Sequence, residues 1–367
     1  MRPGEGSVSL NLPPLRLQWL EEARAGSGMA LHRLPIFDGL RGIAAISVML
    51  YHADVIFAIS TPFSRGYLFV DFFFLLSGFV LTLSVEPRMR DREAAAAFMI
   101  ARVKRLWPLT AIGALVGVGA GLSMDLQESV PLSLILALLM IPAFQGQGEL
   151  FPLNGPQWSL FLELLANAVH AFVLRRLDER QLRVIVLVSA LALAVTIMRF
   201  GSNMVGPRAS NWPWAIPRVA FSYVLGVWFA RKWSAGPRTV ALPWALALIL
   251  PVAYVIALPV LPMTLGISDM LATIVLLPAF FWVAASAQVP PGAELWLSRL
   301  GAISFPLYAV HLPILRMVAY KNSDLLMMLI AIAGAFVAAL LLERISAAFL
   351  AKARGGHHQT AFAAQVA

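Results

Sequence analysis

Cysteine is absent from all 367 residues. That excludes disulfides, thiolate metal sites and a cysteinyl acyl-enzyme, and it leaves the redox compartment unreadable. Charge is scarce as well: 13% of residues are Asp, Glu, Lys or Arg, against 60% apolar. Acids are the scarcer sign, with 19 Asp and Glu facing 28 Lys and Arg, a net charge of +9. With a mean hydropathy of +0.79, the chain is excluded from the ordinary soluble domains. Ten-residue alternating strands are missing, which argues against a membrane barrel. HExxH is missing too, and His52, His170 and His311 lie on three different apolar segments, so no metal site is expected.

What is present is a series of apolar runs of about 20 residues, each able to cross a hydrocarbon core of roughly 30 Å. They fall near 37–58, 66–85, 106–123, 157–175, 182–200, 212–231, 240–262, 268–288, 300–320 and 324–345. The reading is an all-α polytopic membrane protein of about ten transmembrane helices, plus a short re-entrant or surface helix at 130–144. If 130–144 crossed the membrane, the count would be eleven. Arg175, Arg176, Arg180 and Arg183 would then lie opposite Lys232, Arg238, Arg344, Lys352 and Arg354. The positive-inside rule favours keeping them together. Both termini are then cytoplasmic, and the location implied is a bacterial cytoplasmic membrane. Acids, prolines and glycines precede the first apolar run, so residues 1–33 read as a cytoplasmic arm rather than a signal peptide. Residues 34–347 form the membrane domain, and 348–367 read as a disordered cytoplasmic tail in which His357 and His358 are inert. Most basic residues sit in short loops, which makes the charge a topology signal for a lipid bilayer; no nucleic-acid partner is expected.

The first apolar run, Phe37 to Val55, carries Arg41 and His52 eleven positions apart. Eleven steps of 100° bring both side chains to nearly one face, and a rise of 1.5 Å per residue separates them by roughly 16 Å. That puts a cation near one membrane surface and an imidazole near mid-depth. Ionisable groups there cost on the order of 2.5–3.5 kcal/mol and face a protein interior or wet cavity. Arg102 and Arg105, at i and i+3 with Lys104 between, can clamp phosphate, although topological anchoring is the simpler reading of the spacing alone. Ser77 lies within the second span, six residues after Asp71, and reads as structural or cavity-lining. In Asn154-Gly-Pro-Gln-Trp158-Ser-Leu-Phe-Leu-Glu163, Trp158 marks an interface, and Glu163 shares a face with His170 seven residues on. Glu163 can orient an imidazole, act as base, bind sugar hydroxyls or simply hold the bundle. Tyr308 and His311 share a face between Pro306 and Pro313, where freed carbonyls can line a cavity; a kinked packing helix is the plainer alternative. Gly113, Gly117 and Gly121 recur every four residues as a face for close helix contact. The GVGAG around them follows no strand, so it is no dinucleotide loop.

In chain order the pieces are FDGLRG, Arg41-x10-His52, FFFLLSGFVLT, Arg102-x-x-Arg105, PQWSLFLE and SFPLYAVHLP. Together, over about residues 34–345, they resemble the bacterial acyltransferase-3 family of integral membrane O-acyltransferases. Phe79 replaces the usual tyrosine or leucine after the SG pair, and the chain resembles the stand-alone members that lack a hydrolase-like domain. The resemblance implies transfer of an acyl group, often acetyl, from acyl-CoA to a hydroxyl. Acceptors in the family include surface polysaccharide, peptidoglycan, lipid-linked sugars and some secreted small molecules. It also implies that His52 and Arg41 are the catalytic pair, and that Arg102 and Arg105, with Lys104 beside them, handle the donor. The expectation is therefore an enzyme with no bound cofactor, using acyl-CoA as co-substrate from the cytoplasmic side and a carbohydrate or other hydroxyl acceptor. His52 would act as general base, with Arg41 and Glu163 counted among the catalytic groups. Trp158, Tyr308, His311 and Ser77 would line the acceptor side or cavity, with Tyr308 one candidate to stabilise an oxyanion. The alternative is a multi-span secondary transporter of a small polar or anionic solute. It would show corresponding broken segments in two halves, and no such internal repeat is visible.

Overall fold

The structure is a computed structural model that describes residues 34–123, 129–144, 147–235, 242–320 and 322–366, with backbone alone at 123 and from 349 onward. The expected arm at 1–33 lies outside the described residues. The elements are α1 (Pro35–Phe57), α2 (Phe69–Ser84), α3 (Arg92–Ser123), α4 (Val130–Leu138) and α5 (Gln157–Phe172). They continue with α6 (Glu179–Phe200), α7 (Ala215–Ala235), α8 (Trp244–Ala257), α9 (Leu265–Ala284), α10 (Pro291–Ala319) and α11 (Leu325–Val366). Among the described residues, eight helices are long and apolar enough to cross a membrane. Two further helices fall outside that group. Helix α7 is 21 residues long but carries Arg218, Arg231 and Lys232, and α8 with the turn after it runs only from Trp244 to Val260. The fold is an all-α, multi-pass membrane bundle.

Local chemistry explains the ends. Helix α1 starts on Pro35, where a missing N–H costs nothing. Helix α6 starts with a reciprocal capping box, Asp178 accepting from the Gln181 N–H and Gln181 from the Asp178 N–H, and stops at Gly201 with φ of 68°. Helix α9 widens to a π turn over Ala272–Leu276, just before Pro278. Pro278 has no N–H for the carbonyl of Ile274 and crowds it, and the wider turn takes up the mismatch. Helix α4 has nine residues, about 14 Å, and is too short to cross. It packs on α3, as the short helix expected at 130–144. Helix α11 carries its backbone helix through Val366, over most of the segment read as a disordered tail.

Apolar residues face outward along whole helix sides, as a bilayer requires. On α6 these are Val184, Leu187, Val188, Leu191, Val195 and Met198. Inside, α1 packs on α10 and α2 on α7. Any Cβ at Gly78 would strike the Tyr223 carbonyl, and any at Gly226 the Leu75 carbonyl, so two glycines set the α2–α7 approach. The Gly113/Gly117 face does not receive a helix alone. Gly113 lies against the Ala309 carbonyl of α10, but Gly117 lies against the carbonyl of Leu153, in the non-helical stretch before α5. That stretch is buried at Leu150, Phe151, Leu153 and Asn154. It is pinned by the Leu150 N–H to Pro207 and the Ala209 N–H to Gly148. Irregular backbone at this depth survives because protein, not lipid, surrounds it. The end at which α1 begins is called the basic end here, and the end at which it stops the far end.

Candidate active site

Two polar centres lie along α1. At the basic end, Arg41 donates to Asp38 at 2.6 Å and to Ser304 Oγ of α10 at 3.2 Å. Arg102 of α3 donates to the Glu163 carboxylate of α5, and Ser77 Oγ of α2 donates to the same oxygen at 2.8 Å. Arg105, exposed one turn along, stands in the field of Arg102, Arg41, Glu163 and Asp38. Lys104 is exposed beside it. Three guanidiniums with two carboxylates among them make a net positive cluster, suited to a polyanion.

The second centre lies nearer the far end than α1's overall length suggests. His52 stands five residues before Phe57, the end of α1, about 7.5 Å along the axis. Its Nδ1 is 2.9 Å from the Val48 carbonyl oxygen and 3.1 Å from His311 Nε2 on α10. His311 Nδ1 is 3.0 Å from the Leu307 carbonyl oxygen. These partners assign the protons. Facing a carbonyl, His311 Nδ1 carries hydrogen, so the Nε2 of the neutral ring accepts. His52 Nδ1 then donates, shared between Val48 O and His311. What remains on His52 is an unprotonated Nε2, in a ring half-buried while His311 is fully buried.

Around this pair, Tyr308 and Ser159 meet at 2.6 Å, and Ser159 Oγ donates to the Pro156 carbonyl, so Tyr308 donates to Ser159. Its phenol proton is thus engaged. Tyr51 packs edge-on to the His52 ring at 5.0 Å and to Tyr67 at 5.2 Å. Tyr67 donates to Asp269 at 2.6 Å. Beyond it, Arg218 of α7, fully buried, grips Asp71 at 2.7 Å, and Asn203 donates to Asp71 and Thr273.

The sequence-identified groups therefore separate. His52, His311 and Tyr308 come together. Arg41 joins Arg102 and Arg105 at the basic end instead of reaching His52. Glu163 bonds Arg102 and Ser77, so all three belong to the basic centre and Ser77 does not line the acceptor side there. His170 does not pair with Glu163; it bonds Glu86 at 2.7 Å and Tyr223 at 3.0 Å. Trp158 is buried beneath the Arg218 guanidinium at 5.6 Å, with Gly206 against its ring, so its face is closed to a ligand. Sequence reading passed over Arg218 and Asp269, although each interrupts an apolar run and intramembrane charge was signal enough.

The arrangement defines a multi-pass helical membrane protein with a guanidinium cluster at one end and an imidazole pair, one ring buried and one half-buried, toward the other. An acyltransferase domain model matches residues 34–344, and the chain belongs to this acyltransferase-3 family. It is 34% identical to "Protein 2 in picA locus" of Rhizobium radiobacter over 188 residues, 46% of this chain and 96% of that one. It is 28% identical to "Acyltransferase MdmB" of Streptomyces mycarofaciens over 321 residues, 77% of this chain and 79% of that one. No solved structure matches. The chain is a membrane acyltransferase.

Proposed function

We propose that the protein transfers an acyl group, acetyl by preference, from acyl-CoA to a hydroxyl of an extracytoplasmic or lipid-linked carbohydrate, with His52 as general base. The observation that carries this reading is the hydrogen-bond order from Leu307 O through His311 to His52, which leaves His52 Nε2 as a free base. The nucleotide end of acyl-CoA docks at Arg41, Arg102 and Arg105, where guanidiniums meet its phosphates. The pantetheine arm runs inward along α1, bringing the thioester to His52. Nε2 takes the acceptor proton as the hydroxyl oxygen bonds the acyl carbon. The carbon–sulfur bond breaks, and the imidazolium returns the proton to the departing thiolate. Glu163 acts on the donor side, by holding Arg102. Acyl-CoA enters as co-substrate and no resident cofactor takes part. In this reading the chain crosses a bacterial cytoplasmic membrane ten times, with Arg175, Arg176, Arg180, Arg183, the basic end and both termini on the cytoplasmic side, as the positive-inside rule favours.

The test is label transfer from radiolabelled acetyl-CoA to a crude glycan extract by purified protein in liposomes. Wild type is expected to label the extract. His52→Ala should lose transfer while still binding acetyl-CoA, and Arg102→Ala should lose donor affinity. Transfer at the wild-type rate in His52→Ala would overturn the base assignment.

A further inference from the structure

The far-end cluster near Tyr51 contains an incompletely bonded ion pair. Arg65 Nη1 and Asp269 Oδ1 stand 3.9 Å apart, an ion pair too long for a hydrogen bond. Asp269 is completely buried, and its Oδ1 has no hydrogen-bond partner among the described residues. Its other oxygen is fully used, accepting from Tyr67 at 2.6 Å and from the Asn203 N–H at 2.8 Å. An orphaned carboxylate oxygen at this depth is costly unless something donates to it. A hydroxyl fits: at hydrogen-bond distance from both ends of a 3.9 Å gap, it accepts from the guanidinium and donates to the carboxylate.

A second unused group lies between this gap and the base. Tyr51 is half-buried, and among the described residues its hydroxyl reaches only the Met204 sulfur, at 3.4 Å, a poor acceptor. Its ring touches His52 on one side and Tyr67 on the other, and Tyr67 also takes a hydrogen bond from Arg65 at 3.3 Å. Asp269 sits in the last turn before the π segment of α9, whose Thr273 holds Asn203. Such widened turns recur at functional positions. The guanidinium of Arg65 and the carboxylate of Asp269 flank Tyr67, which stands two ring contacts from His52 with Tyr51 between, a row of polar groups suited to an acceptor with several hydroxyls.

Resting on the acyl-transfer reading above, we propose that Arg65, Asp269 and Tyr51 form an acceptor subsite that recognises a polyhydroxylated molecule through a hydroxyl other than the one acylated. Arg65 and Asp269 bracket that second hydroxyl, and Tyr51 donates to a neighbouring oxygen. The acceptor is then held with its reacting hydroxyl toward His52 Nε2. A simple alcohol forfeits these contacts and leaves the buried oxygen unpaired.

The experiment uses the full-length protein in detergent with labelled acetyl-CoA and two probe alcohols at equal molarity, glycerol and 1-propanol. Wild type should acylate glycerol at least tenfold faster than 1-propanol, beyond the threefold expected from counting hydroxyls. Tyr51→Phe and Arg65→Gln should each bring that ratio down toward the threefold set by counting hydroxyls, acetyl-CoA binding showing that each variant is folded. Tyr51→Phe deletes a hydroxyl touching only a sulfur, so it keeps the test open if Arg65→Gln does not fold. A wild-type ratio near three, or a ratio unchanged in the folded variants, overturns the subsite. If neither alcohol is labelled, the glycan extract decides. Equal labelling by wild type and Tyr51→Phe overturns the subsite alone, and no labelling by wild type overturns the transfer reading beneath it.

Discussion

His311 Nε2 accepts from His52 Nδ1 at 3.1 Å, so the two imidazoles act as one unit across the α1–α10 interface. Each is further fixed by a carbonyl one turn back in its own helix, Val48 for His52 and Leu307 for His311. A base oriented by a second group, itself held by the backbone, is the usual logic of an activated hydroxyl. His311 touches no reacting atom in this scheme; it positions His52 and sets its tautomer.

Replacing His311 by Leu should therefore slow turnover about a hundredfold, within the range for loss of assisted proton transfer, while the KM for acyl-CoA stays within twofold. His311→Gln can present an acceptor oxygen to His52 Nδ1 and should recover part of the loss. Steady-state kinetics of both variants decide it. An equal loss in both would show a packing role rather than an orienting one.

Glu163 offers a test of where the donor binds. Its carboxylate takes bonds from Arg102 and Ser77 and partly cancels the positive charge of the cluster. Glu163→Gln keeps an acceptor for both partners but removes the negative charge. The expected result is tighter acyl-CoA binding, about two- to fivefold at low salt, consistent with about 1 kcal/mol or less for a half-screened charge. The gain should shrink as salt is raised. Titration of acyl-CoA at two ionic strengths measures it. Turnover slowed about a hundredfold or more would restore Glu163 to the chemical step.

The all-α, multi-pass fold and its short helix at Val130–Leu138 were legible because apolar length survives any packing. The motif residues were legible singly, but their partners were not. Arg41 and His52 share a face of one helix, which made a single site look natural; a rise of roughly 16 Å between them divides them between two. Glu163 and His170 also share a face, yet Glu86 of the α2–α3 connection takes His170. Trp158 read as an interfacial platform because amphipathic side chains usually are, and Arg218 from α7 covers it instead. Partner choice is a matter of long-range packing, which helical periodicity within one segment does not encode.

Asp71 and Arg218 are paired at 2.7 Å with both side chains buried, and Arg218 also caps the carbonyls of Val205 and Tyr67. Asp71→Ala leaves an uncompensated buried guanidinium, a loss of about 3–5 kcal/mol. Thermal unfolding in detergent should show a large drop in midpoint, with little folded protein recovered. The double variant Asp71→Leu with Arg218→Met removes both charges and should be more stable than Asp71→Ala alone. If the double variant is the worse of the two, the pair contributes attraction beyond mutual neutralisation.

The α2–α7 contact gives a prediction about packing alone. Gly78 faces the carbonyl of Tyr223, and Gly226 faces the carbonyl of Leu75, with no space at either for a methyl group. Backbone, unlike a side-chain tip, cannot rotate aside, so Gly78→Ala must push the helices apart. Overpacking of this kind costs about 1–3 kcal/mol. The displacement also bears on function, because α2 carries Ser77 beside Glu163 and α7 carries Tyr223 beside His170. Gly78→Ala should lower the unfolding midpoint and weaken acyl-CoA binding together. Gly292, with nothing within 4 Å of a Cβ, is the control: Gly292→Ala should leave both unchanged. A Gly78→Ala protein as stable as wild type would mean that the helices do not approach as closely as the glycines permit.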